Sequence, residues 1–126
     1  MLAVDDDPAH LAILRGLLVP LGFRLSCAAD SESALALAAE VQPDLVLCDI
    51  ALGGEDGRAL ADKLARRHGP ALRIVMVSGE GAPPDAGGFP FVGKPFDFDA
   101  LLAVIAESLA LEWVRAPGGD SSADAP

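Results

Sequence analysis

The chain has 126 residues, a formal net charge of −10 at pH 7, a pI of about 4.3 and a mean hydropathy of +0.39. That length suits one domain with a single buried core, and no apolar run approaches the roughly 18–20 residues that a membrane span requires. Because the chain is acidic and lacks such a run, we expect this segment to contact neither nucleic acid nor a membrane.

Short apolar runs alternate with helical patterns along the chain. In chain order, these patterns predict a strand at 1–4, a helix at 10–21, a strand at 23–28, a helix through 34–41, a strand at 45–48, a helix at 58–68, a strand at 72–77, a short strand at 89–92 and a last helix to about Trp113. Pro8 suits the first turn of the first helix, for which Asp7 is the expected N-cap. Asp30 is the expected N-cap of the second helix, and either Asp97 or Asp99 that of the last.

The remaining local signals concern a loop and two cysteines. Gly53, Gly54 and Gly57 predict a loop after the third strand. Cys27 and Cys48 lie within apolar, strand-like runs. They favour buried thiols over a disulfide, and a reducing, cytoplasmic location.

Alternation of apolar strands with helices predicts an α/β domain in which helices cover both faces of a parallel sheet. In such sheets the functional groups collect at the carboxyl ends of the strands. The residues that follow the predicted strands there are Asp5, Asp6, Asp49, Ser78 and Lys94. We therefore expect three carboxylates, a hydroxyl and an ammonium group to converge on one edge of the sheet.

These groups together suit phosphoryl chemistry. Clustered carboxylates are costly unless a cation lies among them, and Mg²⁺ combines carboxylate ligands with phosphate oxygens. The Ser78 hydroxyl and Lys94 ammonium can donate to a phosphoryl group, although Lys94 could also simply neutralise the cluster. Asp49 is then the candidate nucleophile. His10 and His68 lack ligand-like partner spacing, and we interpret them as helix-surface residues.

Four segments carry a resemblance to a known family: "VDDDP" after the first strand, "PDLVLCDI" with "EDG" around Asp49, "VMVSG" at Ser78 and "FVGKPF" at Lys94. In this order and spacing, the sequence resembles a receiver domain of two-component response regulators, the CheY-like family. The resemblance covers residues 1–113. Because its residues are small and polar and include glycine and proline, the segment 114–126 is expected to be a disordered tail. The resemblance implies a flavodoxin-like (βα)5 fold, a doubly wound five-stranded parallel sheet with strand order 2-1-3-4-5.

The resemblance also implies how the carboxylates act. Asp49 would accept a phosphoryl group from a histidine kinase or a histidine phosphotransfer domain. Asp6 and Asp49 would bind Mg²⁺ directly, with Mn²⁺ as the substitute ion. The backbone carbonyl of Ala51 would be a further ligand, and Asp5 would act through a bound water. The chain would then be a signalling receiver that takes the phosphoryl group onto its own aspartate, and not an enzyme that acts on other substrates.

Three further roles follow from the resemblance. Ser78 would hydrogen-bond a phosphoryl oxygen and move toward it on activation. Lys94 would form an ion pair with the phosphoryl group, and the Lys94–Pro95 bond resembles the cis peptide of the family. Phe91 matches the switch aromatic that turns inward when the serine moves, although core packing alone would also explain an aromatic residue on a short strand.

The sequence departs from the family between the fourth and fifth strands. Only ten residues, "GEGAPPDAGG", lie between Ser78 and Phe89, and they include four glycines and two prolines. They carry almost no apolar residue that could hold a helix against the sheet. We expect the fourth helix to be absent or much reduced, and we do not expect dimerisation through the face that it builds in the family.

Smaller departures surround Asp49. Gly53 occupies a position where the family often has proline, which should loosen the loop. Ala51 and Glu80 flank the path of the attacking water in the family. Because Ala51 is small, we expect the acyl phosphate to last minutes rather than days.

Two alternatives belong to other functional classes. A haloacid-dehalogenase-like phosphohydrolase would use Asp5 and Asp7, but Ala9 stands where a threonine or valine is expected, and Asp49 would have no task. A receiver-like interaction module that is never phosphorylated is the other. Within the receiver interpretation, the segment is either part of a hybrid histidine kinase or a single-domain regulator, and we favour the former.

Overall fold

Strands and helices alternate throughout the computed structural model, which describes residues 1–78, 88–93 and 98–109, except for the side chains of Ser78 and Phe98. In chain order the elements are β1 Leu2–Val4, α1 Pro8–Leu18, β2 Ser26–Ala28, α2 Ser31–Val41, β3 Leu45–Asp49, β4 Ala51–Leu52, β5 Glu55–Asp56, α3 Gly57–His68, β6 Arg73–Ser78, β7 Phe91–Gly93 and α4 Phe98–Leu109. A single 3₁₀ turn at Val19–Leu21 extends α1. No helix in these described ranges is long and apolar enough to cross a membrane.

Five of the strands form one parallel sheet in the order β2-β1-β3-β6-β7. Counted among themselves these strands are 2-1-3-4-5, so the predicted flavodoxin-like α/β topology is confirmed. The predicted loss of the fourth helix concerns residues 79–87 and therefore lies outside the described residues, as does the predicted tail at 114–126.

Strand β3 is continuously apolar up to Asp49 because it is the central strand of the sheet. All five of its residues are buried because helices cover both faces of the sheet. Alternate side chains point to opposite faces, so Val46 and Cys48 join one core cluster while Leu45 and Leu47 join the other. The first cluster packs under α2 and α3, and the second under α1 and α4.

Aspartate caps begin the first two helices as predicted. The Asp7 side chain accepts a hydrogen bond of 2.9 Å from the Ala9 backbone N–H, and Pro8 opens the first turn. The Asp30 side chain accepts one of 2.8 Å from the Ser33 N–H. Both caps lie at the carboxyl edge of the sheet, so they fix where each helix leaves that edge.

Several predicted boundaries are wrong by a few residues. Strand β2 is shorter than the predicted 23–28, and β7 begins at Phe91 rather than at Phe89. Helix α4 begins at Phe98, so Asp99 lies in its first turn and is not its cap. The ends of apolar runs are poor guides because hydrophobic side chains continue into turns that pack on the core.

Candidate functional site

Two buried carboxylates lie side by side at the carboxyl edge of the sheet. The β1–β3 register places Val4 opposite Cys48, so the next residues, Asp5 and Asp49, leave adjacent strands together. Asp5 is 3% exposed and Asp49 is 6% exposed. Because buried carboxylates repel each other when both are ionised, this pair favours a compensating cation or proton.

Backbone N–H groups orient both carboxylates. Asp5 Oδ1 accepts a hydrogen bond of 2.9 Å from the Asp7 N–H. Asp49 Oδ1 accepts one of 3.1 Å from the Ala51 N–H. Each carboxylate is therefore held by the turn that follows its own strand.

His10 lies against Asp5 and Asp7, so the prediction that it has no ligand-like partner was wrong, although it is partly exposed on α1. Its Nδ1 lies 3.2 Å from Asp5 Oδ2, and its Nε2 lies 3.5 Å from Asp7 Oδ2. The imidazole is 34% exposed. Residue spacing did not predict this contact, because Asp5 and His10 lie on either side of the cap of α1, where the chain turns from the strand into the helix. The one feature of the sequence that could have indicated it is the position of His10 in the first helical turn after "VDDDP".

The site contains donors that fit a divalent cation. Asp5, His10 and Asp49 each offer one ligand atom, and these atoms all lie within 4.8 Å of one another. Carboxylate oxygen and imidazole nitrogen are both common metal ligands. The buried negative charge of the two aspartates gives a cation a favourable environment.

Asp6 and Ala51, the other predicted ligands, lie beside this group. Asp6 is exposed, and among the described residues it is not part of the three-residue group. Its carboxylate faces Gly53, where a Cβ would lie 2.7 Å from Asp6 Oδ2. Ala51 is exposed at the start of β4. The direct ligation of Mg²⁺ by Asp6 and by the Ala51 carbonyl stays a prediction.

The loop predicted after Asp49 is a short hairpin, and Gly57, predicted to lie in the same loop, is the first residue of α3. Strands β4 and β5 pair antiparallel, and Gly53 and Gly54 form the two-residue turn with φ +49° and +92°. Two positive φ angles are typical of the tight turns that suit hairpins. Proline, with φ near −65°, cannot occupy such a position, so the departure from the family at Gly53 has a conformational reason.

Cys48 is a buried, free thiol beside the candidate nucleophile. Burial, and next the negative charge of Asp49, raise the pKa of the Cys48 thiol to about 12. The thiol is therefore protonated and weakly nucleophilic at neutral pH. Cys48 is a free buried cysteine as predicted, whereas Cys27, also free, is only half-buried.

Of the remaining predicted site residues, the structure describes the backbone of Ser78 and the whole of Phe91. Strand β6 ends at Ser78, which pairs with Gly93 of β7, so the backbone brings Ser78 to the same edge as Asp49. The Ser78 side chain, Lys94 and Glu80 lie outside the described residues, and their roles stay predictions. Phe91 is 38% exposed on β7 and is not a core residue here.

Comparisons with known proteins agree with this topology. The family model for the response regulator receiver domain matches residues 1–106. The nitrogen assimilation regulatory protein NtrX of Azorhizobium caulinodans is 38% identical over 123 residues, covering 91% of this chain and 26% of the relative. The response regulator PleD of Caulobacter vibrioides is 34% identical over 116 residues, covering 86% and 25%.

A solved structure supports the same conclusion. The receiver domain of NtrX from Brucella abortus matches with a TM-score of 0.77 at 36% identity, covering 87% of this chain and 98% of that structure. The chain spans about a quarter of the length of the curated relatives that it matches. The shared part is the segment that contains the sheet and its acidic edge, by which we mean the carboxyl edge with Asp5 and Asp49.

Proposed function

The chain belongs to the family of response regulator receiver domains, and from that membership we propose that it accepts a phosphoryl group on Asp49 from a phosphohistidine. The observation that carries the proposal is the placement of Asp49. It is buried at the end of the central strand, next to Asp5, with its carboxylate oriented by the Ala51 N–H. A carboxylate held in this way can act as a nucleophile toward phosphorus.

The transfer forms one bond and breaks another. A carboxylate oxygen of Asp49 attacks the phosphorus of the phosphohistidine, a P–O bond forms and the P–N bond breaks. The imidazole of the donor leaves with the electron pair of the broken bond and takes a proton from solvent. The product is an acyl phosphate on Asp49 and a neutral donor histidine.

The acidic edge has the donors for the cation that such a transfer uses. When bound, Mg²⁺, or Mn²⁺ in its place, neutralises charge on the phosphoryl oxygens. We assign its ligands to Asp6, Asp49 and the Ala51 carbonyl, with Asp5 acting through a water. The Ala51 N–H holds one oxygen of the Asp49 carboxylate by a hydrogen bond.

Ser78, Lys94 and Phe91 complete the proposed switch. Ser78 would donate its hydroxyl to a phosphoryl oxygen, and Lys94 would supply an ammonium partner to the same group. The position of Ser78 at the carboxyl edge supports its part in this arrangement. Phe91 is exposed on the neighbouring strand, and an inward turn of its ring would report the movement of Ser78.

Receiver domains of response regulators act with histidine kinases or phosphotransfer donors, and we propose such a partner for this chain. We propose further that it works in the cytoplasm as part of a hybrid histidine kinase or as a single-domain regulator. Its activity is phosphorylation of itself, without turnover of another substrate. A haloacid-dehalogenase-like phosphohydrolase would use Asp5 and Asp7 instead, so an acceptor at Asp49 distinguishes the two functions.

Phosphorylation by a small donor tests the proposal. Incubation with phosphoramidate and Mg²⁺ should add one phosphoryl group to the wild-type chain, detected by intact mass spectrometry. Asp49→Asn should abolish the gain because an amide cannot form the acyl phosphate. Asp44→Asn, which changes an aspartate just before β3 and away from the acidic edge, should retain it.

Two results would contradict the assignment. A phosphoryl gain that persists in Asp49→Asn would place the acceptor elsewhere. No gain in the wild-type chain at saturating Mg²⁺ would favour a receiver-like module that works without phosphorylation.

A further inference from the structure

We propose that His10, together with Asp5 and Asp49, binds transition-metal ions such as Co²⁺ and Zn²⁺, and that His10 supplies the nitrogen ligand. The inference rests on the proposed function in one respect, since Asp49 is also the proposed Mg²⁺ ligand and phosphoryl acceptor. Because the two ligand sets share Asp49, a transition ion and Mg²⁺ would compete. The ion would then regulate phosphorylation of the domain.

The spacing of the donor atoms supports ligation. His10 Nδ1 lies 3.2 Å from Asp5 Oδ2, and the three candidate atoms all lie within 4.8 Å of one another. Adjacent ligands on an ion with bonds of about 2.0–2.2 Å are roughly 3.0–3.6 Å apart. The ion would lie between His10 and Asp5, and the Asp49 carboxylate would approach it by a small adjustment.

The second ring nitrogen supports the same geometry. Histidine ligands usually present their other nitrogen to a carboxylate, which fixes the tautomer and the ring orientation. His10 Nε2 lies 3.5 Å from Asp7 Oδ2. Asp7 is itself held as the N-cap of α1, so the ring is oriented by the start of the helix.

The donor types determine which ions the pocket favours. Imidazole nitrogen suits Co²⁺, Ni²⁺ and Zn²⁺, whereas Mg²⁺ prefers oxygen ligands and keeps much of its water. Asp5 and Asp49 are buried, while His10 is one-third exposed, which leaves a route for an ion from solvent. His10 is therefore the residue that distinguishes this pocket from one built of oxygen ligands alone.

The chain offers a matched control. His68 is the second histidine, and it ends the twelve-residue helix α3, which begins at the acidic edge. Since such a helix is about 18 Å long, His68 lies near the opposite edge of the sheet. His68→Gln therefore removes one imidazole without touching the proposed site.

Metal titrations of the wild type, His10→Gln and His68→Gln test the proposal. Calorimetric affinity for Co²⁺ should fall about tenfold or more in His10→Gln and stay unchanged in His68→Gln. Mg²⁺ affinity should be similar in all three chains, which also shows that His10→Gln is folded. In NMR spectra, Zn²⁺ should shift the ring signals of His10 and leave those of His68 in place.

The outcomes separate this inference from the proposed function. Equal Co²⁺ affinity in the wild type and His10→Gln would overturn the inference, even where phosphoramidate still phosphorylates both chains. Loss of Co²⁺ affinity in His10→Gln would support it, even where Asp49 failed to accept phosphate. Zn²⁺ shifts at His68 instead of His10 would also overturn it.

Discussion

Gly53 follows β4 and Gly57 follows β5, and neighbouring atoms explain the absence of a side chain at each. At Gly53 a Cβ would approach Asp6 Oδ2, as described above for the hairpin. At Gly57 a Cβ would collide with the backbone carbonyl of Asp49, and the Gly57 N–H donates a hydrogen bond of 2.6 Å to the Ile50 carbonyl. The end of the hairpin is thus packed directly against the end of β3.

Gly53→Ala is expected to weaken Mg²⁺ binding several-fold, because its Cβ would displace the carboxylate of Asp6. Gly54→Ala is the matched control, since it also has a positive φ but its Cβ would meet no atom within 4 Å. Both variants should lose about 1 kcal/mol or more of unfolding free energy, because an L side chain is strained at positive φ. Calorimetry measures the Mg²⁺ affinities and urea titration the stabilities. Equal Mg²⁺ affinities in the two variants would contradict direct ligation by Asp6.

At the scale of elements, the helix caps connect the acidic edge to the helices. Asp7 and Asp30 begin α1 and α2, and the Asp56 side chain begins α3 by accepting from the Arg58 N–H. Asp7 and Asp30 lie shortly beyond β1 and β2, and Asp56 is the last residue of β5. Helices α1 and α2 therefore start where the sheet presents its functional groups. The same turn that caps α1 brings His10 to Asp5.

The cap at Asp30 should make stability depend on pH. The Ser33 backbone N–H, and next the Ser33 side chain, lower the pKa of Asp30 from its ordinary 3.8. The folded state thus binds this proton less readily than the unfolded chain, so the contribution is present above about pH 3.8 and is lost as pH falls through the lower, folded value. Wild type should exceed Asp30→Ala in unfolding free energy at pH 7, and the difference should narrow at lower pH.

Asp30→Asn provides the control for this titration, because asparagine caps a helix without an ionisable group. Its advantage over Asp30→Ala should change little with pH in urea unfolding experiments. An advantage of wild type over Asp30→Ala that is constant from pH 7 to acid would show that the charge of Asp30 has no part in the cap.

At the scale of the whole molecule, two core clusters hold the sheet while its edge concentrates negative charge. The chain carries a net charge of −10, and Asp5 and Asp49 are buried next to each other. Burial of like charges opposes folding, whereas the apolar residues around them favour it. The fold therefore places two neighbouring carboxylates at the edge that the proposed function uses.

Mg²⁺ is expected to raise the free energy of unfolding, because the unfolded chain lacks the assembled ligands. At a free concentration of 100 times Kd the gain is about 2.7 kcal/mol. Urea unfolding followed by circular dichroism measures it. NaCl at equal ionic strength separates general charge screening from binding.

Asp49→Asn tests whether the stabilisation by Mg²⁺ comes from binding at the acidic edge. Without Mg²⁺ it should be more stable than wild type, because one of two neighbouring buried charges is removed, and it should gain less from Mg²⁺. An equal gain from NaCl and from Mg²⁺ would show that the stabilisation is screening and not binding at the acidic edge.

The amino-acid sequence by itself determined the strand–helix alternation and the edge at which Asp5 and Asp49 lie. It could do so because apolar periodicity marks the elements, and parallel strands must present their carboxyl ends on one side. The caps at Asp7 and Asp30 were equally local, since each depends on a contact within three residues. Strand order came from the resemblance to a family, because periodicity does not specify which strands are neighbours.

Only the tertiary structure decided the contact of His10 with Asp5 and the approach of Gly53 to Asp6. The first depends on the direction in which α1 leaves the sheet, and the second on how the Gly53–Gly54 hairpin packs against the turn after β1. Neither distance is encoded by residue spacing, because each joins side-chain or backbone atoms across a turn. Local patterns thus fixed which residues reach the acidic edge, and packing decided which atoms meet there.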